Sequence, residues 1–232
     1  LRDGSPYYPL TPSELAHAQR TFVEEHGVSI VGGCCGTTPA HTKALVDTLW
    51  GHAPVPRRPL SEPACASLYT SVPLRQETSF LVVGERLNAN GSRQFKQLLL
   101  QDDLDSLQAM VKQQLREGAH TLDLNVDYVG RDGVADMDAL AFRLATQSTL
   151  PLMLDSTEAA VIEAGLKRLG GRALINSINL EDGEARMDRV MPLARQYGAA
   201  VVALCIDEEG QARTCEWKLR VARRIHDLAV HK

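Results

Sequence analysis

From residue 80 onward the chain alternates short apolar runs with longer segments whose apolar residues recur at helical spacing. The strand candidates are 80–83, 121–126, 150–154, 173–175 and 199–206, and helical stretches fall at 93–100, 103–117, 134–147, 157–169, 184–197 and 214–230. Strands joined by helical crossovers run parallel, and runs this apolar imply a sheet covered on both faces. The strand starts lie about 20–40 residues apart, bracketing the roughly 30 residues per unit of an eightfold α/β barrel. Five units fit either a (β/α)8 barrel short of three strands or an open doubly wound sheet. A glycine-rich phosphate loop is missing after the first strand, because Gly84-Glu85-Arg86-Leu87-Asn88 lacks the glycine spacing.

Nearly every expected strand ends in a polar group. In order these are Glu85 and Asn88, Asp123 and Asn125, Asp155-Ser156-Thr157, Asn176-Ser177, and Asp207. One such residue reads as a helix N-cap, but five in succession suit a barrel mouth with convergent groups for a polar ligand. Carboxylates paired with amides match a flat heterocycle that carries an amide and an exocyclic amine. The strand ends carry no lysine, and neither a serine nucleophile elbow nor a metal-binding histidine pair appears, so phosphate chemistry and acyl transfer are poorly served.

The first fifty residues have a different signature. Thr11-Pro12-Ser13-Glu14 is a capping box with proline at the first helical position, predicting a helix to about Glu25 that stops at Gly27. A short strand is expected at 28–31, followed by Gly32-Gly33-Cys34-Cys35-Gly36-Thr37-Thr38-Pro39 and a second helix from Pro39 to about Trp50. Two adjacent thiols at a strand end suit Zn²⁺, which favours sulfur in tetrahedral geometry. A pair of buried core residues and a strained neighbouring-residue disulfide are the other readings of the same spacing. Residues 1–51 amount to one and a half helix–strand units, too few to bury a core of their own. Residues 52–79 hold Pro54, Pro56, Pro59, Pro63 and Pro73 beside Arg57 and Arg58, the composition of an interdomain connector. Within it, 66–69 and 72–74 are expected to pair as a hairpin around Thr70-Ser71, with Cys65 structural.

Composition limits the remaining classes. In 232 residues, 44% are hydrophobic and 23% charged, with a net charge of −4, as in an ordinary water-soluble protein. The absence of a polybasic run speaks against nucleic acid or an anionic membrane as partner, and no apolar stretch approaches a bilayer span. Five cysteines, odd in number, do not form a disulfide framework, so a reducing cytoplasm is expected.

Two resemblances sharpen these expectations. Gly32 to Pro39, with His41 beyond, resembles the last strand and turn of the homocysteine-binding barrel of zinc-dependent methyltransferases. That implies Cys34 and Cys35 as zinc ligands, with a third cysteine from outside this chain. Gly84-Glu85-Arg86-Leu87-Asn88 with Gly91-Ser92-Arg93, then 122–125, 154–156 and 175–177, resembles the pterin-binding barrel of methyltetrahydrofolate methyltransferases. The resemblance covers residues 80–232 and implies that Asp155 and Asn176 hydrogen-bond the pterin. It also lays Gly91, Ser92 and Arg93 against the folate, with Glu85, Asn88, Asp123 and Asn125 lining the same mouth. Both barrels in this order resemble the cobalamin-dependent methyltransferases, which implies 5-methyltetrahydrofolate and homocysteine as substrates. Cobalamin would then be held by a module outside this chain. Dihydropteroate synthases and stand-alone methyltetrahydrofolate:corrinoid methyltransferases share the second barrel.

Overall fold

The computed structural model describes residues 3–4, 6–57 and 62–231. Of the expected connector, Arg58 and Pro59 lie outside the described residues. The chain divides into two compact units, Leu1–Ser61 and Glu62–Lys232.

In the first unit, α1 (Pro12–Glu24) starts from the Thr11–Glu14 capping box. α2 (Pro39–Leu49) follows the cysteine turn, and Leu15, Ala16 and Leu45 form the contact between the helices. The buried His41 ring ties the segment before α1 to the start of α2. Its Nδ1 accepts from the Thr38 backbone N–H at 3.1 Å, which leaves Nε2–H to donate to the Leu10 carbonyl at 3.0 Å. The expected strand at 28–31 does not form. A strand is held by a neighbour's ladder of hydrogen bonds, and no described segment pairs with 28–31, so Ile30 stands 90% exposed. The Gln19 side chain supplies a partial substitute. Its amide accepts from Gly32 N–H at 2.9 Å and donates to the Gly32 carbonyl, holding the start of the cysteine loop on α1.

The second unit opens with a hairpin, β1 (Ala64–Ala66) and β2 (Ser71–Pro73), paired antiparallel with Cys65 opposite Val72. The turn spans 67–70, earlier than the expected Thr70-Ser71. There the Ser67 hydroxyl accepts the N–H groups of Tyr69 and Thr70. Next come β3 (Val83–Asn88), α3 (Arg93–Leu100), α4 (Leu104–Arg116), β4 (Thr121–Asn125), α5 (Gly133–Gln147), β5 (Leu152–Asp155), α6 (Ala159–Leu166), β6 (Leu174–Ile178), α7 (Ala185–Tyr197) and β7 (Ala200–Ala203). A two-stranded loop, β8 (Ile206–Asp207) and β9 (Gly210–Gln211), precedes α8 (Cys215–His231).

Strands β3 to β7 pair in sequential order, all parallel. A doubly wound sheet reverses its order at a switch point, whereas a barrel adds each strand beside the last, so this sheet is a five-strand arc of the (β/α)8 type. Alternation along the strands separates two layers. Leu122, Leu124, Leu152, Leu154 and Ile175 face the helices, where Met137, Leu140 and Leu144 of α5 and Met187 and Val190 of α7 cover them. Met153 and Leu174 face the other way and pack with Ala200, Val202 and the fully buried Cys65. The hairpin therefore floors the concave side, and two hydrogen bonds between Ala66 and Arg172, both 2.9 Å, fasten it there. Cys65 serves as core, as expected, and burial pushes its thiol pKa up.

The first barrel strand differs from expectation. Residues 80–82 lie outside it, with Phe80 88% exposed, and the strand consists of Val83 and the motif Gly84–Asn88. Its register shifts between Gly84 and Leu87, and the Arg86 N–H freed by this bulge is taken by Gln114 Oε1 of α4 at 2.9 Å. Gly84 permits that approach, since a Cβ there would stand 2.6 Å from the same oxygen.

Candidate functional site

Parallel register brings the polar strand ends to one rim. Asn88 of β3 lies opposite Asn125 of β4, and Asp155 of β5 opposite Asn176 of β6. Hydrogen bonds fix the amide orientations. Asn88 Oδ1 accepts the N–H groups of Asn90 (2.9 Å) and Gly91 (3.0 Å), so its Nδ2 must face inward, where it donates to Asp123 Oδ2 (3.0 Å) and Asp155 Oδ2 (3.3 Å). Asn125 is set the same way. Its Oδ1 accepts Asp127 N–H at 3.1 Å and Asn90 Nδ2 at 3.3 Å, and its Nδ2 donates to Asp155 Oδ2 at 3.1 Å. Two amides thus hold two carboxylates at the mouth.

The two carboxylates are not equivalent. Asp123 is 3% exposed, and burial raises its pKa to about 6. The Asn88 bond and the neighbouring Asn176 side chain oppose that rise, while the charges of Asp155 and Glu85 add to it. Its Oδ1 is buried and accepts no hydrogen bond among the described residues. Asp155 is half-buried and also raised, chiefly by desolvation, with the Asn125 hydrogen bond opposing. Both of its amide donors reach Oδ2, which leaves Oδ1 free of protein donors among the described residues. Beside it opens a cleft of about 200 Å³ lined by Asp155, Asn176, Ser177, Asn179 and Arg186.

The other expected residues take distinct places. Gly91 gives its N–H to Asn88, and Ser92 caps α3 by accepting Phe95 N–H at 3.2 Å. Arg93, exposed at the first position of α3, makes no hydrogen bond or ion pair among the described residues. Glu85 is exposed on the bulge and acts on the buried pair through its charge. Asp207 departs from expectation. It lies in the β8–β9 loop, where its carboxylate accepts Trp217 Nε1–H at 2.8 Å and faces Arg220, so it ties the loop to α8. Three contributors went unrecognised in the sequence: Asn90, Asp127 and Arg186. Asp127 stands two residues past Asn125, a spacing that signals a second strand-end carboxylate. Arg186 sits within a charged helix and carries no such signal.

In the first unit, the Cys34 and Cys35 sulfurs are both exposed and 3.8 Å apart. Two thiolates bound tetrahedrally at about 2.3 Å to one zinc also stand about 3.8 Å apart, so the pair fits two corners of such a site. Among the described residues no third His, Cys, Asp or Glu joins them. The turn is set by Thr37, whose N–H (3.1 Å) and hydroxyl (2.6 Å) both reach the Cys34 carbonyl.

The second unit is a five-strand barrel arc whose mouth is lined by amides and carboxylates. The chain belongs to the pterin-binding enzyme family, which it matches over residues 84–230. Residues 2–49 match the homocysteine S-methyltransferase family. Over 222 residues, the chain is 56% identical to the methionine synthase of Mycobacterium tuberculosis, an overlap covering 94% of this chain and 18% of that protein. It is 54% identical over 226 residues to the methionine synthase of Mycobacterium leprae, covering 94% and 19%. The chain therefore spans less than a fifth of the length of these curated relatives.

Proposed function

We propose that this chain serves a cobalamin-dependent methionine synthase, binding 5-methyltetrahydrofolate in its second unit and contributing zinc ligands from its first. The observation that carries the reading is the half-buried Asp155. Fixed amides hold one of its oxygens, the other takes no protein donor among the described residues, and the residue lines the cleft together with Asn176. Asp155 accepts from adjacent N–H groups on the amidine-like edge of the pterin, and Asn176 fixes the ring in its plane. Their role is orientation, because a methyl leaving N5 must point away from the ring toward its acceptor. Asp123, beneath them, keeps the Asn88 amide turned inward and carries a proton more readily than an ordinary carboxyl.

Cys34 and Cys35 are the residues that would hold zinc, with a third ligand from outside this chain, and bound zinc would favour the thiolate form of homocysteine near neutral pH. Cobalamin, held by another module of the same enzyme, would carry the methyl group between the two substrates. A cytoplasmic location fits this chemistry. Among the described residues no helix is long and apolar enough to cross a membrane. The deciding assay mixes the full-length protein with 5-methyltetrahydrofolate and reduced cobalamin and follows demethylation of the folate. Turnover without aminobenzoate supports the reading; condensation of a pterin with aminobenzoate would instead favour a dihydropteroate synthase-like enzyme.

A further inference from the structure

The segment that follows Asp155 is gripped from both sides. Asp127, from the loop after β4, accepts the Ser156 hydroxyl at 2.8 and 2.9 Å and the Thr157 N–H at 3.1 Å. The Ser156 oxygen in turn accepts Glu158 N–H at 3.1 Å. From the opposite side, the Arg186 guanidinium of α7 donates to the Ser156 carbonyl at 2.7 Å and to that of Thr157. The same guanidinium donates through Nε to the Ser177 carbonyl at 3.1 Å. One carboxylate and one guanidinium thus join the C-terminal ends of three consecutive strands, β4, β5 and β6. These ends carry Asn125, Asp155 and Asn176, and each clamped peptide lies within two residues of one of them.

We propose that Asp127 and Arg186 are a paired positioning device that sets the aim of Asp155 and Asn176 at the mouth of the cleft. This inference rests on the folate reading above. Geometry separates the device from ordinary helix capping. The one backbone N–H that Asp127 takes, that of Thr157, precedes the Glu158 N-cap of α6 and so is not a helix-cap donor, and Arg186 binds carbonyls at the ends of two different strands. A fork of fixed donors sets the distance between those carbonyls, and a single ammonium does not reproduce it. The partial desolvation of Arg186, which lowers its pKa, fits a side chain drawn into the rim instead of extended into water.

The test titrates 5-methyltetrahydrofolate into the full-length protein and its variants Asp127→Ala, Arg186→Gln and the double variant. Asp127→Asn and Arg186→Lys serve as conservative controls, and thermal midpoints are recorded for all. Each single change is expected to raise Kd roughly 10- to 100-fold, as small displacements of an aligned site do. The double variant should stay within about twofold of the worse single variant, because both act through one loop. Asp127→Asn, which keeps an acceptor oxygen, should recover most of the affinity, and Arg186→Lys only part of it. Unchanged Kd in both single variants, or losses that multiply in the double, would overturn the pairing while wild type still binds. If Asp127→Ala or Arg186→Gln fails to fold, Arg186→Lys carries the comparison, and wild-type affinity in that variant overturns the proposal. Failure of the wild type to bind would instead bring down the folate reading itself.

Discussion

At Asp123 burial and charge conflict. A carboxyl held near pKa 6 by desolvation binds its proton more tightly folded than unfolded. The sign follows from linkage: its contribution to stability is fully present below the ordinary aspartate pKa and is lost as pH rises through about 6. Asp123→Asn removes that loss while keeping an oxygen for the Asn88 amide. Between pH 4 and pH 8 the variant should gain on the order of 2–3 kcal/mol relative to wild type, read from denaturant midpoints. A wild-type stability difference unaffected by the substitution would show that Asp123 does not titrate in this range. Reading carboxylates and amides at strand ends was enough to place Asn88, Asp123, Asn125, Asp155 and Asn176 at one mouth. Asp207 misled because a strand end and the loop beyond it look alike in sequence, and only the fold shows Trp217 taking its carboxylate.

At the scale of elements, the amphipathic helices were legible because each carries its own period, and some also carry a stop signal. α7, for example, ends on Gly198 in the left-handed conformation at φ 67. Strand limits were less legible, since pairing with a neighbour decides them. The apolar residues 80–82 read as a strand yet stand outside it, and 28–31 has no described partner at all. The bulge in β3 depends on a contact invisible in sequence, that of Gln114 with Arg86 N–H. Gln114→Leu leaves this N–H without its acceptor at a partly buried position, at a cost of about 1–3 kcal/mol in thermal or denaturant unfolding. Because the bulge sets where β3 delivers Asn88, folate affinity should fall with it. A variant as stable as wild type would mean that water satisfies the bulge.

For the molecule as a whole, the two units should be separable by substitution. Replacing Cys34 or Cys35 by serine in the full-length protein should abolish bound zinc, measured by elemental analysis, and leave folate affinity unchanged. Zinc content equal to wild type in both variants would remove the metal assignment. The proposed pterin site is tested most directly by titrating 5-methyltetrahydrofolate calorimetrically into the full-length protein with wild-type Asp155 and with Asp155→Ala. Loss of the open Oδ1 acceptor strands N–H donors of the bound ring in a half-dry cleft, so binding should weaken by about 1–3 kcal/mol. Asp155→Asn, which exchanges an acceptor for a donor, should be nearly as damaging. Equal affinities for wild type and Asp155→Ala would contradict the site, leaving Asp155 an anchor for the Asn88 and Asn125 amides and nothing more.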